Sequence, residues 1–160
     1  MEFKSILAAI DLDDDLAEGV VRAADSLAMK DGASLEIVSV WPALSNATPT
    51  FSAEIGASSA VVTDALVKQH REGRQKSVDQ LAALTNRLAP SARTVVLDGE
   101  PAEAIAQYAK QAKADLIVTG SHQRKFWGAL FQGSASIDLI REAPCAVFLV
   151  TRACADAFSK

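Results

Sequence analysis

The chain has 160 residues, is 49% hydrophobic and carries a formal net charge of −4, values that describe one folded domain able to bury its own core. That charge leaves no basic footprint for nucleic-acid phosphates, and no run approaches the ~20 apolar residues of a membrane span, so neither nucleic acid nor membrane is expected as a partner. Cys145 and Cys154 are too few for a disulfide framework and lack the companions of a zinc site.

Residues 6–10 form a continuous apolar run ending at Asp11, and Leu16, Val20, Ala23, Ala24 and Leu27 follow at helical spacing: a strand, then a helix. Neither a basic segment nor an apolar stretch of signal length precedes the strand, and a cytoplasmic location is the expectation. Asp13, Asp14 and Asp15 fall at the helix start, where carboxylates cap N–H groups and complement the dipole; a metal triad is the sharper alternative. Asp11 is different. It stands at the carboxyl end of a strand, where open α/β sheets bind ligands, and is a candidate site residue.

Gly32 is placed to cap the first helix in the left-handed conformation, and residues 35–40 give a second strand broken by Trp41-Pro42. Val40 again sits at a strand's carboxyl end. Residues 45–59, rich in Ser, Thr, Ala and Pro, read as a long loop, and residues 61–88 as one helix with a weak middle at Gly73 and a structural His70. Pro90 stops that helix. Residues 94–97 form a third strand, and Gly99-Glu100-Pro101 turns into a helix presenting Ala102, Ile105, Ala106 and Ala109 to the sheet.

Leu116, Ile117 and Val118 lack polar alternation, as a parallel strand covered on both faces requires, and the run stops at Thr119-Gly120. After a polar, basic and aromatic loop over residues 121–132, Gly133-Ser134 opens a helix reaching Glu142, and Pro144 precedes a last strand, Ala146 to Val150. The first N–H groups of a helix lack intrahelical partners and carry the positive end of its dipole, so Gly133, Ser134 and Ser136 form a candidate anion seat; serine capping and a glycine turn explain the same residues without a ligand. Strands alternating with helices predict an α/β fold, a parallel sheet with helices on both faces.

Three segments resemble the universal stress protein family: residues 4–11 its opening strand, residues 98–105 its glycine-proline turn, and residues 114–122 its fourth strand. Ala143-Pro144-Cys145 before the last strand is also similar. The likeness implies a single Rossmann-like, adenine nucleotide alpha hydrolase-like domain over residues 1–151, built on a five-stranded parallel sheet, with residues 152–160 as a C-terminal tail.

Nucleotide-binding members carry a loop motif of glycine, two residues, glycine, nine residues, then glycine and serine or threonine. Gly120 and Gly133-Ser134 match its ends at the right spacing, whereas Gln123 replaces the second glycine. A side chain there costs about 1–2 kcal/mol if the backbone must be left-handed, although the glutamine amide is also a donor for a phosphate oxygen. The resemblance assigns Asp11 to the ribose and adenine side, Val40 to main-chain contact with adenine, and Gly120, Gly133, Ser134 and Ser136 to ribose and phosphates. Thr119, Gln123 and Ala135 complete the candidate set; Arg124 and Lys125 offer added charge. The implied ligand is ATP or another adenine nucleotide, with or without Mg, and the implied partner is a second copy joined through the last strand.

His122-Gln123 followed by Phe126-Trp127 is similar to the loop of a family branch regarded as not binding ATP, although that branch lacks the Gly-Ser ending present here. Two functions follow. One is a stress-response protein that binds an adenine nucleotide and acts through homodimer or partner contacts; the alternative is a nucleotide-free member acting by protein contacts alone, with Phe126, Trp127 and Phe131 over the site. A phosphate-hydrolysing enzyme finds no support, since the chain has no P-loop lysine pattern and no evident water-activating His and Asp pair; two further enzyme readings fail because the dinucleotide GxGxxG turn and the GxSxG nucleophile turn are absent from the sequence.

Overall fold

A computed structural model describes residues 2–43, 59–121 and 135–158. Strands and helices alternate along the chain: β1 (Ser5–Ala9), α1 (Ala17–Asp31), β2 (Ser34–Trp41), α2 (Ser59–Leu88), β3 (Arg93–Asp98), α3 (Pro101–Ala112), β4 (Leu116–Gly120), α4 (Ala135–Glu142), β5 (Ala146–Val150) and α5 (Arg152–Phe158). The five strands form one sheet of order β3-β2-β1-β4-β5, every neighbouring pair parallel. The expected α/β fold, with its five-stranded parallel sheet covered on both faces, is the one observed.

Period-two alternation in the strands divides the core. Ile6 and Ala8 of β1, Ile37 of β2 and Val118 of β4 pack on one face with α1, Leu81 of α2 and Ala155 of α5. Leu7, Ala9, Val38 and Ile117 point to the other face, against Ile105 and Ala109 of α3 and Leu139 of α4. Since β1 and β4 are buried on both faces, their apolar runs show no polar alternation. Asp115 anchors the amino end of the central strand: its carboxylate accepts from the backbone N–H groups of Lys4 (2.8 Å) and Ser5 (3.2 Å).

Gly32 caps α1 at φ 66°, as its position after Asp31 predicts. The start of α1 differs from expectation. The helix begins only at Ala17, and its N-cap, Leu16, has an apolar side chain that makes no cap hydrogen bond. The aspartates build the preceding turn instead: Asp11 Oδ1 accepts from Asp13 N (3.0 Å) and Asp14 Oδ1 from Leu16 N (2.8 Å), each two residues on, the reach at which a short carboxylate competes with helix formation.

Beyond residue 151 the chain folds as α5 on α1, with Ala155 buried and the Arg152 guanidinium paired with the Asp15 carboxylate. Arg87 of α2 is bonded to Glu18 of α1 at 2.5 Å, tying those two helices. Residues 45–58 of the expected loop lie outside the described residues; Ser59 is the first residue of α2.

Candidate functional site

Among the described residues, Asp11, Ser39, Thr85 and Thr119 are the buried polar side chains, and three of them gather at the carboxyl ends of β1, β2 and β4. Thr119 pairs with Ala9, and the Ile10 N–H still donates to Val38 O (2.9 Å), so Asp11 leaves the sheet between its two central neighbours. The connection from β1 runs to β2 on one side while β4 lies on the other, which makes this a topological switch point. Asp11 is 3% exposed there.

A cavity of about 640 Å³ opens beside it. Asp11, Leu12 and Asp13 supply one wall, Ser39 to Pro42 at the end of β2 the floor, α2 a second wall, and the turn Gly99-Glu100-Pro101 the far side. That turn is locally determined. Gly99 has φ 128°, a conformation that side chains rarely permit, and its N–H donates to Trp41 O (3.0 Å). The Glu100 carboxylate then caps α3 by accepting from Ala102 N (3.0 Å), with Pro101 at the first helical position.

The lining combines the carboxylates Asp11, Asp13 and Glu100 with the Lys76 ammonium and the apolar surfaces of Leu12, Val40, Trp41 and Pro42. Carboxylates accept from hydroxyl and amino groups, and apolar walls receive a flat ring, so this part of the site fits a nucleoside better than a polyphosphate. Beside the cavity Arg74 grips Asp98 in two parallel bonds (2.8 and 3.0 Å) and also donates to Val96 O (3.0 Å). This guanidinium holds the Asp98 carboxyl below the usual carboxylate range.

The α2 wall carries Trp41. A Cβ built on Gly73 would stand 2.7 Å from both Cζ2 and Cη2 of the Trp41 indole, so the glycine that weakens the helix in sequence makes room for the ring. His70, one turn earlier, places Nε2 at 2.8 Å from Trp41 Nε1 and at 2.8 Å from Pro42 O, and its tautomer selects which of these contacts is a hydrogen bond. In either tautomer His70 ties α2 to the end of β2, the structural role its position predicts.

Of the residues singled out from the sequence, Asp11 and Val40 meet in the cavity. Thr119 and Gly120 lie at the same end of the sheet but within β4, which extends two residues past the expected stop; neither lines the cavity. Ala135 and Ser136 open α4. Gln123, Gly133 and Ser134, with Arg124, Lys125, Phe126, Trp127 and Phe131, fall outside the described residues. Sequence reasoning missed Trp41, Lys76, Gln80 and Glu100 as lining residues. A signal existed in α2: Gly73, Lys76, Ser77 and Gln80 follow i, i+3, i+4, i+7, one helix face lacking a large apolar side chain. Among the described residues no group of three or more His, Cys, Asp or Glu is placed to hold a metal ion.

An open parallel sheet of this order, with a carboxylate-lined cavity at its carboxyl ends, defines the adenine nucleotide alpha hydrolase-like class of Rossmann-like α/β domains. The model of the universal stress protein family matches residues 2–151, and the chain belongs to that family. It is 36% identical over 148 residues to the "Universal stress protein in QAH/OAS sulfhydrylase 3'region" of Thermus aquaticus, covering 92% of this chain and 98% of that protein. In fold it is similar to the universal stress protein UspA from Lactobacillus plantarum, with a TM-score of 0.59 at 23% identity over 93% of this chain and 98% of that one. The universal stress protein from Archaeoglobus fulgidus, solved in complex with dAMP, is similar with a TM-score of 0.53 at 21% identity over 93% and 98% of the two chains.

Proposed function

We propose that the chain is a cytoplasmic stress-response protein that binds an adenine nucleotide at the carboxyl ends of β1 and β2 and acts through a homodimer or a protein partner. The observation that carries the nucleotide reading is Asp11, a carboxylate buried at the switch point and opening on a cavity of about 640 Å³ beside Val40. A base and ribose fit this donor set: ribose hydroxyls donate to Asp11 or Glu100, and the base lies along Val40 and Trp41. The phosphates extend toward Gly120 and the amino end of α4, which opens at Ala135 and Ser136, and the family resemblance adds Gln123, Gly133 and Ser134 as phosphate contacts. The A. fulgidus relative with dAMP supports the choice of an adenine ligand. Binding here needs no chemistry, and the lining suits recognition.

Thermal unfolding of nucleotide-stripped protein with Mg-ATP, ADP and AMP tests this. Ligand at 100 times Kd adds about 2.7 kcal/mol, roughly 5–10 °C in midpoint, and Asp11→Ala removes the shift. No shift at millimolar nucleotide overturns the reading in favour of a nucleotide-free interaction protein.

The dimer reading rests on β5. It is an edge strand whose Phe148 and Leu149 are 36% and 44% exposed. An apolar edge of this kind is a template for pairing with a second copy.

A further inference from the structure

We propose that Trp41, seated on Gly73, is the affinity-determining wall of the cavity: an aromatic surface against which the planar base of the ligand packs. The inference deepens the nucleotide-binding reading and rests on it.

Trp41 is fixed from three directions. Its carbonyl accepts from Gly99 N (3.0 Å), which pins the main chain at the point where β2 ends. Its indole Nε1 lies 2.8 Å from His70 Nε2, with the two rings edge-on at a centroid distance of 5.7 Å. Its benzo edge fills the space that Gly73 leaves in α2, where any β-carbon would stand at 2.7 Å. The ring is nonetheless only half-buried, and it lines the cavity between Val40 and Pro42.

A half-buried tryptophan held in this way loses little conformational freedom when a ligand arrives, so its contact area becomes affinity. A glycine inside a 30-residue helix is unfavourable by about 1 kcal/mol relative to alanine, and its place beneath the ring gives that cost a purpose. The sugar side of the cavity is set by carboxylates, which accept from any ribose. The planar base is therefore left to the apolar wall, of which Trp41 is the largest side chain.

Calorimetric titration of the full chain with AMP, in the wild type and in Trp41→Ala, Trp41→Leu, Trp41→Phe and Gly73→Ala, tests the assignment. Base–aromatic stacking predicts that the alanine and leucine variants bind AMP about 5- to 150-fold more weakly, while phenylalanine recovers most of the affinity. Gly73→Ala, which forces the indole out of its seat, weakens binding in the same direction. Thermal scans verify folding; where Trp41→Ala loses its transition, the comparison of phenylalanine with leucine decides. Wild-type affinity in Trp41→Ala, or leucine serving as well as phenylalanine, overturns the role of Trp41 and leaves the nucleotide reading intact. A wild-type chain that takes up neither AMP nor, in a parallel titration, ADP or Mg-ATP overturns both.

Discussion

Gly19 of α1 lies directly beneath Ala155 of α5: a Cβ on Gly19 would stand 2.4 Å from the Ala155 Cβ and 3.1 Å from its Cα. The C-terminal helix is thus docked by close backbone approach, with the Arg152–Asp15 pair at its edge. Gly19→Ala gains about 1 kcal/mol in helix propensity but must push α5 away, an overpacking cost of about 1–3 kcal/mol. The expected net result is a lower thermal midpoint, by up to several degrees at ~2–4 °C per kcal/mol. Ala155→Gly in the same chain recovers part of the loss; additive losses would show that the two residues do not meet.

The Arg74–Asp98 pair predicts a pH dependence. Asp98 has a folded pKa below its unfolded value, chiefly through the Arg74 hydrogen bonds, so its contribution is present above the unfolded carboxylate range and is lost as pH falls through the lowered folded value. Both side chains are more than a third exposed, which limits the effect to about 1 kcal/mol or less. Urea unfolding should find Asp98→Asn slightly weaker than wild type at pH 7 and indistinguishable from it near pH 2.

Tyr108, the single tyrosine of the chain, donates to Glu36 Oε2 at 2.6 Å. Burial first, and the Glu36 carboxylate second, push its pKa up to about 12. The neutral phenol is favoured by folding, so this contribution is complete below the unfolded value near 10 and is lost as pH rises through about 12. Absorbance titration should give one phenolate transition at about 12. Glu36→Gln should move it toward the ordinary value, and an unchanged midpoint would remove Glu36 as a cause.

Thr85 is 2% exposed, and its Oγ1 has no hydrogen-bond partner among the described residues. Thr85→Val keeps the β-branched shape and removes an unsatisfied hydroxyl, so stability should rise by about 1 kcal/mol. A drop in denaturation midpoint would mean that the hydroxyl is bonded.

At the sheet edge, Phe148→Asp or Leu149→Lys should convert the expected dimer to monomer by light scattering while leaving the fold unchanged by circular dichroism. Phe148 and Leu149 are partly exposed on β5, so neither charge enters the core. A wild-type monomer at micromolar concentration would contradict the dimer reading.

The alternation of elements was legible from the chain because each element leaves a local trace: helical spacing in α1 and α3, apolar runs in β1 and β4, Gly32 after Asp31, Pro101 after the Gly99 turn. The placement of Asp11 and Val40 at strand ends was legible for the same reason, since the carboxyl end of a strand is where such a run stops. The aspartates after Asp11 misled, because carboxylates can bond two residues on and build a turn as readily as they cap a helix.

What only the tertiary structure decided lies in contacts between distant residues. Trp41 on Gly73, Gly19 under Ala155, and Asp115 at the N–H groups of Lys4 and Ser5 join positions 32 to 136 residues apart. Such contacts impose no period on the sequence. The amino acids determined that strands and helices would alternate; the order β3-β2-β1-β4-β5, the α2 wall of the cavity and the docking of α5 followed from shape complementarity between surfaces that meet only after folding.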